Sequence, residues 1–336
     1  MGYWFNEIGN EGDIAVSTRV RLARNINGYP FPSRMTDDMR EQINDKIKNA
    51  ITNSNTPFSR TLSYIAMKDI PENERYAMVE RHIISPEFVS NCENKAIIIS
   101  EDESISVMIG EEDHIRIQVI LSGLQLENAY DIAERLDTLL CDTLDIAFDE
   151  NLGFLTECPT NLGTGLRASL MLHLPVLEST GEIKNLSRAV EKIGFTVRGM
   201  YGEGSSAIAS FYQISNQITL GICEKNAIDN LKTIAMQFIE KERALRGTLN
   251  LLKTEDLCHR ALGILKNARI LSSEEMIKLL SRVKLGISMD IVDEKINPVK
   301  SLIEGQPYML MSKFGDMNTE ERDIKRASFI REIFSN

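Results

Sequence analysis

Three arginines fall within the nine residues STRVRLARN, positions 17 to 25, of a chain whose net charge is −11. Arg19 and Arg21 alternate along a strand-like run, so their side chains share a face with Ser17. Guanidinium forks match phosphate oxygens and keep their charge at any ordinary pH. The pair is therefore read as holding the phosphates of a nucleotide. Three further arginines stand beside glycine, serine or tight turns. Arg116 emerges opposite an apolar strand face, Arg167 follows Gly163 and Gly165 at an expected helix start, and Arg198 closes a strand just before Gly199. Taken singly, any one of them could pair with a surface carboxylate instead.

Two acidic sites complement the cations. Glu111 and Glu112 sit in the hairpin end GEED, four or five residues before Arg116. Glu203 lies in YGEGSS, where Gly202 and Gly204 would let its loop move. Two carboxylates, one fixed and one mobile, could grip a guanidinium from both sides. A guanidinium is a poor nucleophile because its lone pairs are delocalised and its pKa exceeds ~12. Carboxylates that orient it and accept a proton raise the electron density on the attacking nitrogen. The plain alternative is a solvated acidic turn. Cys158, ahead of Pro159 in CPTNLGTG, is either a buried inert thiol or a thiolate beside cations. His82 in ERHIISP could stack on a base, donate to a phosphate, or be structural. His114 and His173 lie in apolar surroundings and read as core or interface residues. No G-x-x-x-x-G-K-[ST], H-R-D or D-F-G is present, which excludes a P-loop and the Ser/Thr/Tyr kinase pattern.

These residues need a frame. Thr36 can cap a helix carrying Met39, Ile43, Ile47 and Ile51. KAIIIS (95–100) reads as a buried strand, and ISVMIG with HIRIQVILSG as a hairpin across GEED. Ile115, Ile117, Val119 and Leu121 point one way along it while Arg116 and Gln118 point the other. Residues 131–148 are expected to be a helix, TVRG and ASFYQIS…QITLGI strands, and 227–246 an amphipathic helix. Hairpins mixed with helices predict an α+β fold with an antiparallel sheet flanked by helices. After residue 246 strand signals fade and leucine-rich helical patterns take over. The expected division is 1–246, a catalytic domain, and 247–336, a smaller, mainly helical domain.

Bulk properties narrow the class. The acidic balance argues against a general nucleic-acid or anionic-membrane binder. The N-terminus lacks a basic region followed by an apolar run, so no signal peptide is expected. Asn6 stands where a myristoylation signal needs Ser or Thr. No apolar run approaches the ~20 residues of a membrane span. The five cysteines are odd in number and never form C-x-x-C, which suits a reducing cytoplasm and argues against a disulfide or zinc framework.

In their order along the chain, STRVRLARN, ERHIISP, GEEDHIRI, CPTNLGTGLRASLMLHLP and RGMYGEGSSA…FYQISNQITLG resemble the phosphagen kinase (ATP:guanido phosphotransferase) family. The resemblance implies an antiparallel sheet flanked by helices that binds MgATP through an arginine cluster. It maps the cluster onto Arg19, Arg21, Arg116, Arg167 and Arg198, with Ser17 and His82 assisting. The adjoining nucleotide-binding positions are Thr18, Val20, Ala168, Ser169, Leu170, Met171, Gly199, Met200, Tyr201 and Gly202. The guanidinium-handling carboxylates map onto Glu112 and Glu203 beside Glu111, and the reactive cysteine onto Cys158. No protein-borne metal site is implied; Mg²⁺ is expected to arrive on ATP with its waters.

Members acting on small guanidines carry a helical domain ahead of the first arginine motif, whose loop closes on the substrate. Only 16 residues precede Ser17, and an open site suits an arginine displayed on a protein. The expected activity is transfer of the ATP γ-phosphoryl group to arginine side chains of proteins, marking them for degradation. Kinase action on free arginine or another small guanidine, and an inactive phosphoarginine-binding adaptor, are the alternatives. Small-guanidine members also lack a segment matching 247–336. There, NTEERDIKRASF offers Asn318 or Thr319 as a helix cap and places Arg322 and Arg326 one turn apart, with Asp323 beside them. On charge alone this is a solvated face. The resemblance makes Arg322, Asp323, Arg326 and Ala327 a phosphoarginine-binding site. It further implies a zinc-binding activator protein and a Clp-type unfoldase as partners, while the leucine-rich helices of 247–336 lead us to expect a homodimer through the second domain.

Overall fold

A computed structural model describes residues 3–200 and 207–335. Its centre is an eight-stranded, wholly antiparallel sheet in the order β2-β3-β4-β5-β1-β8-β10-β9. The strands are β1 (Ala15–Arg24), β2 (Leu62–Ala66), β3 (Ala96–Ser100), β4 (Ile105–Ile109) and β5 (Ile115–Ser122). A small hairpin, β6 (Phe148–Asp149) and β7 (Gly153–Phe154), precedes β8 (Leu166–His173), β9 (Phe195–Gly199) and β10 (Phe211–Asn216). The antiparallel α+β architecture expected from the sequence is the one observed.

The helices before the tail are α1 (Asp37–Thr52), α2 (Phe58–Thr61), α3 (Glu72–Glu80), α4 (Leu126–Thr143), α5 (Pro175–Ser179), α6 (Glu182–Glu191) and α7 (Glu224–Arg246). Side-chain alternation divides the sheet. Val20, Leu22, Ile117, Val119, Leu166, Ala168, Leu170 and Ile214 enter one apolar core, which buried residues of α1, α4 and α7 complete. Thr36 caps α1 as expected, its Oγ1 accepting from the N–H of Met39. The tail folds into α8 (Leu251–Asn267), α9 (Ser273–Ser288), α10 (Pro298–Glu304), α11 (Pro307–Phe314) and α12 (Thr319–Ile333). Their apolar side chains form a second cluster that takes in Trp4, Phe5, Ile120, Met171 and Phe211. Ile120 and Met171 lie on the sheet face opposite the first core. The helical layer covers one part of that face, and a third cluster, Ile97, Ile99 and Met108 under Met78, Ile83 and Phe88, covers the β3–β4 part, with the arginine rows between them.

Three local expectations are corrected. Arg167 does not begin a helix. It lies in β8, where Leu166, Ala168, Leu170 and Leu172 alternate inward. The preceding glycines serve a turn: Gly165 has φ +63°, and a Cβ there would stand 2.6 Å from the Ala23 carbonyl oxygen. The second expected strand at QITLGI is absent, because the Asn216 side chain ends the ladder. Its Nδ2 donates to Leu166 O and Ile218 O, and its Oδ1 accepts from Ala168 N. Finally, α4 begins and ends five residues earlier than expected. Leu126 and Ala129 extend its buried stripe. Past its end, the chain pairs with the stretch after β1, through Asn27 N to Asp145 O and Ala147 N to Asn25 O.

The third arginine of STRVRLARN has a different task from the first two. Odd and even positions face opposite sides of a strand, so Arg24 points away from Arg19 and Arg21. Its guanidinium forks onto Asp137 at 2.9 and 2.7 Å, donates to Ala23 O and Thr164 O, and stacks over Phe154. Arg24→Ala would strand Asp137 and a buried carbonyl. We expect it to lower unfolding free energy by about 3–5 kcal/mol, measured by urea denaturation.

Candidate functional site

Strand register assembles the cations. On the open face, Arg21 has Gln118 opposite it on β5 and Arg167 opposite it on β8. Arg19 is opposite Ser169. Arg116 is opposite Ala23, one row along, and Arg198 lies on β9 opposite Gln213. Two arginines directly opposed on adjacent strands repel each other. Among the described residues Arg19, Arg21, Arg167 and Arg198 form no ion pair, and Arg21 Nε has no hydrogen-bond partner.

The electrostatic strain appears in their acidities. Burial, then Arg167 and Arg116, pull Arg19 down to about 10. Burial and the neighbouring guanidiniums hold Arg21 well below the ordinary value, and burial with Arg198 and Arg116 lowers Arg167. His82 is pushed down to about 4 by burial and by Arg19, so its ring is neutral at pH 7. A polyanion placed here would relieve the mutual repulsion.

Arg116 is the exception. Its Nη1 donates to Glu111 Oε1 at 2.7 Å and its Nη2 to Glu112 Oε2 at 2.9 Å. Glu111 also accepts from Ser85 Oγ at 2.6 Å and from the backbone of Glu112. Glu111 is thereby fixed in the wall, while Glu112 is exposed.

Two cavities meet at this point. One, of about 490 Å³, is lined by Arg19, Arg21, His82, Arg116, Gln118 and Met200, with Glu80 and Gln306 at its far side. The other, of about 170 Å³, is lined by Arg21, Glu112, Arg116, Cys158, Thr160 and Arg167. Arg21 and Arg116 belong to both. Cys158 Sγ lies 3.0 Å from Thr160 Oγ1 and is half-buried.

The remaining candidates divide. Ser17 and Ser169 share the arginine face. Thr18, Val20, Ala168 and Leu170 do not: strand alternation turns them to the other side. There Val20, Ala168 and Leu170 are core, and Thr18 Oγ1 donates to Gly123 O and accepts from Gln125 N. Met171 faces the arginine side but is packed against the helical layer. Gly199 closes β9. Tyr201, Gly202 and Glu203 lie outside the described residues.

In the tail, Asn318 caps α12 in a reciprocal box with Glu321. Arg326 is buried rather than on a solvated face, donating Nε to Gly305 O and Nη1 to Leu271 O, both at 2.8 Å, and pairing with Asp323. Ala327 is buried beside it. Arg322 stays half-exposed, and its guanidinium reaches Thr319 Oγ1 and Met311 Sδ rather than an acid.

Two residues escaped the sequence reading. Gln118 Nε2 donates to His82 O and Ile83 O, at 2.9 and 2.8 Å, and so pins the histidine, whose φ is +62°. Its only signal was its place beside Arg116 on the polar side of β5. Asp113 is wholly buried, and its Oδ1 accepts from Asn25 Nδ2 and from Glu157 N. It ties the carboxylate turn to the end of β1 and to the Cys158 loop. The hint was a third acid in GEED, more than an exposed turn needs. His114 accepts from Ile26 N through Nδ1, with Nε2 2.9 Å from Pro30 O, as a core histidine would.

A phosphate-seeking cluster beside a small carboxylate-bearing cavity, on one face of an antiparallel sheet, is equipment for phosphoryl transfer to a cationic acceptor. The profile of the ATP:guanido phosphotransferase C-terminal catalytic domain matches residues 42–245, and this chain belongs to that family, with ATP as its phosphoryl donor. The profile of the protein-arginine kinase McsB C-terminal domain matches residues 252–336. The protein-arginine kinase of Halothermothrix orenii is 44% identical over 98% of this chain and 96% of its own length. That of Clostridium acetobutylicum is 42% identical over 99% of each. Among solved structures, the duplicated taurocyamine kinase of Schistosoma mansoni with bound transition state analog components superimposes with a TM-score of 0.63 at 26% identity. The match covers 79% of this chain and 39% of that one. A lombricine kinase structure, 22% identical, shares the fold with a TM-score of 0.62 over 73% of this chain and 70% of its own.

Proposed function

We propose that the chain is an ATP-dependent protein-arginine phosphotransferase whose site is the junction of the two cavities. The observation that carries this is the sharing of Arg21 and Arg116 between a cavity rich in unpaired cations and one that exposes Glu112. The larger cavity takes ATP, with Arg19, Arg21 and Arg116 on its phosphates, neutral His82 and Ser17 at the margin, Arg167 reaching the transferring group from the smaller cavity and Arg198 closing in from β9. The smaller takes the substrate guanidinium against Glu112, with Cys158 beside it and Glu203 assisting.

In the transfer, a terminal guanidino nitrogen forms a bond to the γ-phosphorus as the bond from that phosphorus to the β–γ bridging oxygen breaks. ADP leaves with that electron pair, and the guanidinium proton passes to the Glu112 carboxylate. The arginines spread the charge of the transferring group, which is most of what catalysis of this reaction requires. No group of three His, Cys, Asp or Glu that could cage a metal occurs among the described residues. Mg²⁺ is proposed to come with the nucleotide, held by its phosphates and water, where it would neutralise phosphate charge.

The helical layer 247–336 is proposed as a second, regulatory domain. In support, its helices supply most of the second apolar cluster, and among the described residues Arg322 has no acidic partner to compete with a phosphoarginine. Arg326 would then hold the wall of that site through Gly305 and Leu271. A homodimer through this domain is proposed from its leucine-rich helices; marking of clients for degradation, a zinc-binding activator and a Clp-type unfoldase rest on the family resemblance alone. No described helix is long and apolar enough to cross a membrane; a cytoplasmic location is proposed from the free cysteines.

The test is direct. The chain with ATP and an unfolded arginine-bearing protein is expected to yield phosphoarginine, mapped by mass spectrometry at neutral pH because the P–N bond is acid-labile. Free arginine should be a far poorer acceptor. Preference for free arginine, or no turnover with any guanidine, would contradict the proposal.

A further inference from the structure

A third cavity, of about 620 Å³, runs outward from the catalytic carboxylates and shares Glu111, Glu112 and Cys158 with the site. Its size lies within the ~300–1,000 Å³ typical of ligand sites, room for a few residues of extended chain. Whatever polypeptide presents its arginine to Glu112 must leave the small cavity along this wall or away from it.

Acidic side chains outnumber basic ones along the groove. Asp37, Glu93 and Glu157 line it, and none of them forms an ion pair among the described residues. Its two cations, Arg40 and Lys95, are each turned onto backbone carbonyls. Arg40 donates to Pro32 O, and Lys95 Nζ donates to the carbonyls of Glu87, Phe88 and Ser90. The walls are fixed relative to one another: Asn94 donates to Asp37 across the groove at 2.7 Å, and buried Asp113 holds the backbone of Glu157.

We propose that this groove holds the polypeptide flanking the target arginine, and that Glu93 and Glu157 select flanks carrying a further basic side chain. The inference rests on the arginine-kinase reading above and adds its sequence preference. Glu93 is exposed and Glu157 half-exposed, and such carboxylates act mainly on encounter and register rather than on tight binding. The preference therefore falls on KM rather than kcat.

The test uses the full chain and two unstructured peptides with one arginine each, flanked by lysines in one and by serines in the other. At low salt the wild type should favour the lysine peptide by ~10-fold in kcat/KM, the scale of two exposed ion pairs. That preference should shrink at high salt. The E93Q/E157Q variant should bring the ratio to within ~2-fold, and E157Q alone to an intermediate value. Asp37 is left unchanged because it begins α1. A wild-type ratio near one, or a preference that E93Q/E157Q leaves intact, overturns the groove while leaving the arginine-kinase reading standing. Failure of the wild type to phosphorylate either peptide overturns both.

Discussion

Arg21→Ala is expected to lower kcat by ~10³ or more, the scale on which a transition-state arginine acts. Arg21, with Arg116, lines both of the cavities proposed for the nucleotide and the guanidinium. It faces Arg167 across adjacent strands, and among the described residues neither forms an ion pair. Such an arrangement is costly in the empty protein. The same substitution should therefore leave the fold intact, or raise its melting temperature, because it removes like-charge repulsion and a buried unpartnered nitrogen. Loss of turnover together with unchanged or higher thermal stability, measured on one preparation, is the expected pair of results. Loss of turnover accompanied by unfolding would assign Arg21 a structural role instead.

Glu112→Gln is expected to drop kcat by ~10²–10⁴ while the nucleotide dissociation constant changes little, since the residue aligns and deprotonates the acceptor. Glutamine keeps the hydrogen bond to Arg116 and removes the proton acceptor. Arg116 retains Glu111, which is held by Ser85, so the phosphate side should stay in place. Titration calorimetry with ADP and single-turnover kinetics with a protein substrate check the two halves. Equal losses in nucleotide affinity and rate would count against the assignment.

The face of the sheet was legible because strand alternation is a local property. Arg19 with Arg21, and Arg116 with Gln118, follow from period two alone. Arg167 was misread because its flanking glycines suggested a phosphate-binding helix start, although LRASLMLH already alternates. The role of Arg24 could not be read locally, since its partner Asp137 is 113 residues away. Nor could the end of β10, which the Asn216 amide decides through contacts with β8. Ile120 and Met171 are apolar positions on the face that carries the arginines, but only the folded tail supplies what covers them. Asp113 looked like one more acid in a turn until burial and its two donors identified it as the tie between Glu112 and Cys158.

The central claim is that one cluster of unpaired cations receives ATP's terminal phosphate while Glu112 presents an arginine to it. A crystal structure with MgADP, nitrate as a planar mimic of the transferring group, and an arginine peptide tests this most directly. The account predicts nitrate within ~3 Å of the Arg21 and Arg116 nitrogens, with the peptide guanidinium on the Glu112 carboxylate. Nucleotide bound away from these arginines, or a guanidinium that does not reach Glu112, would contradict it.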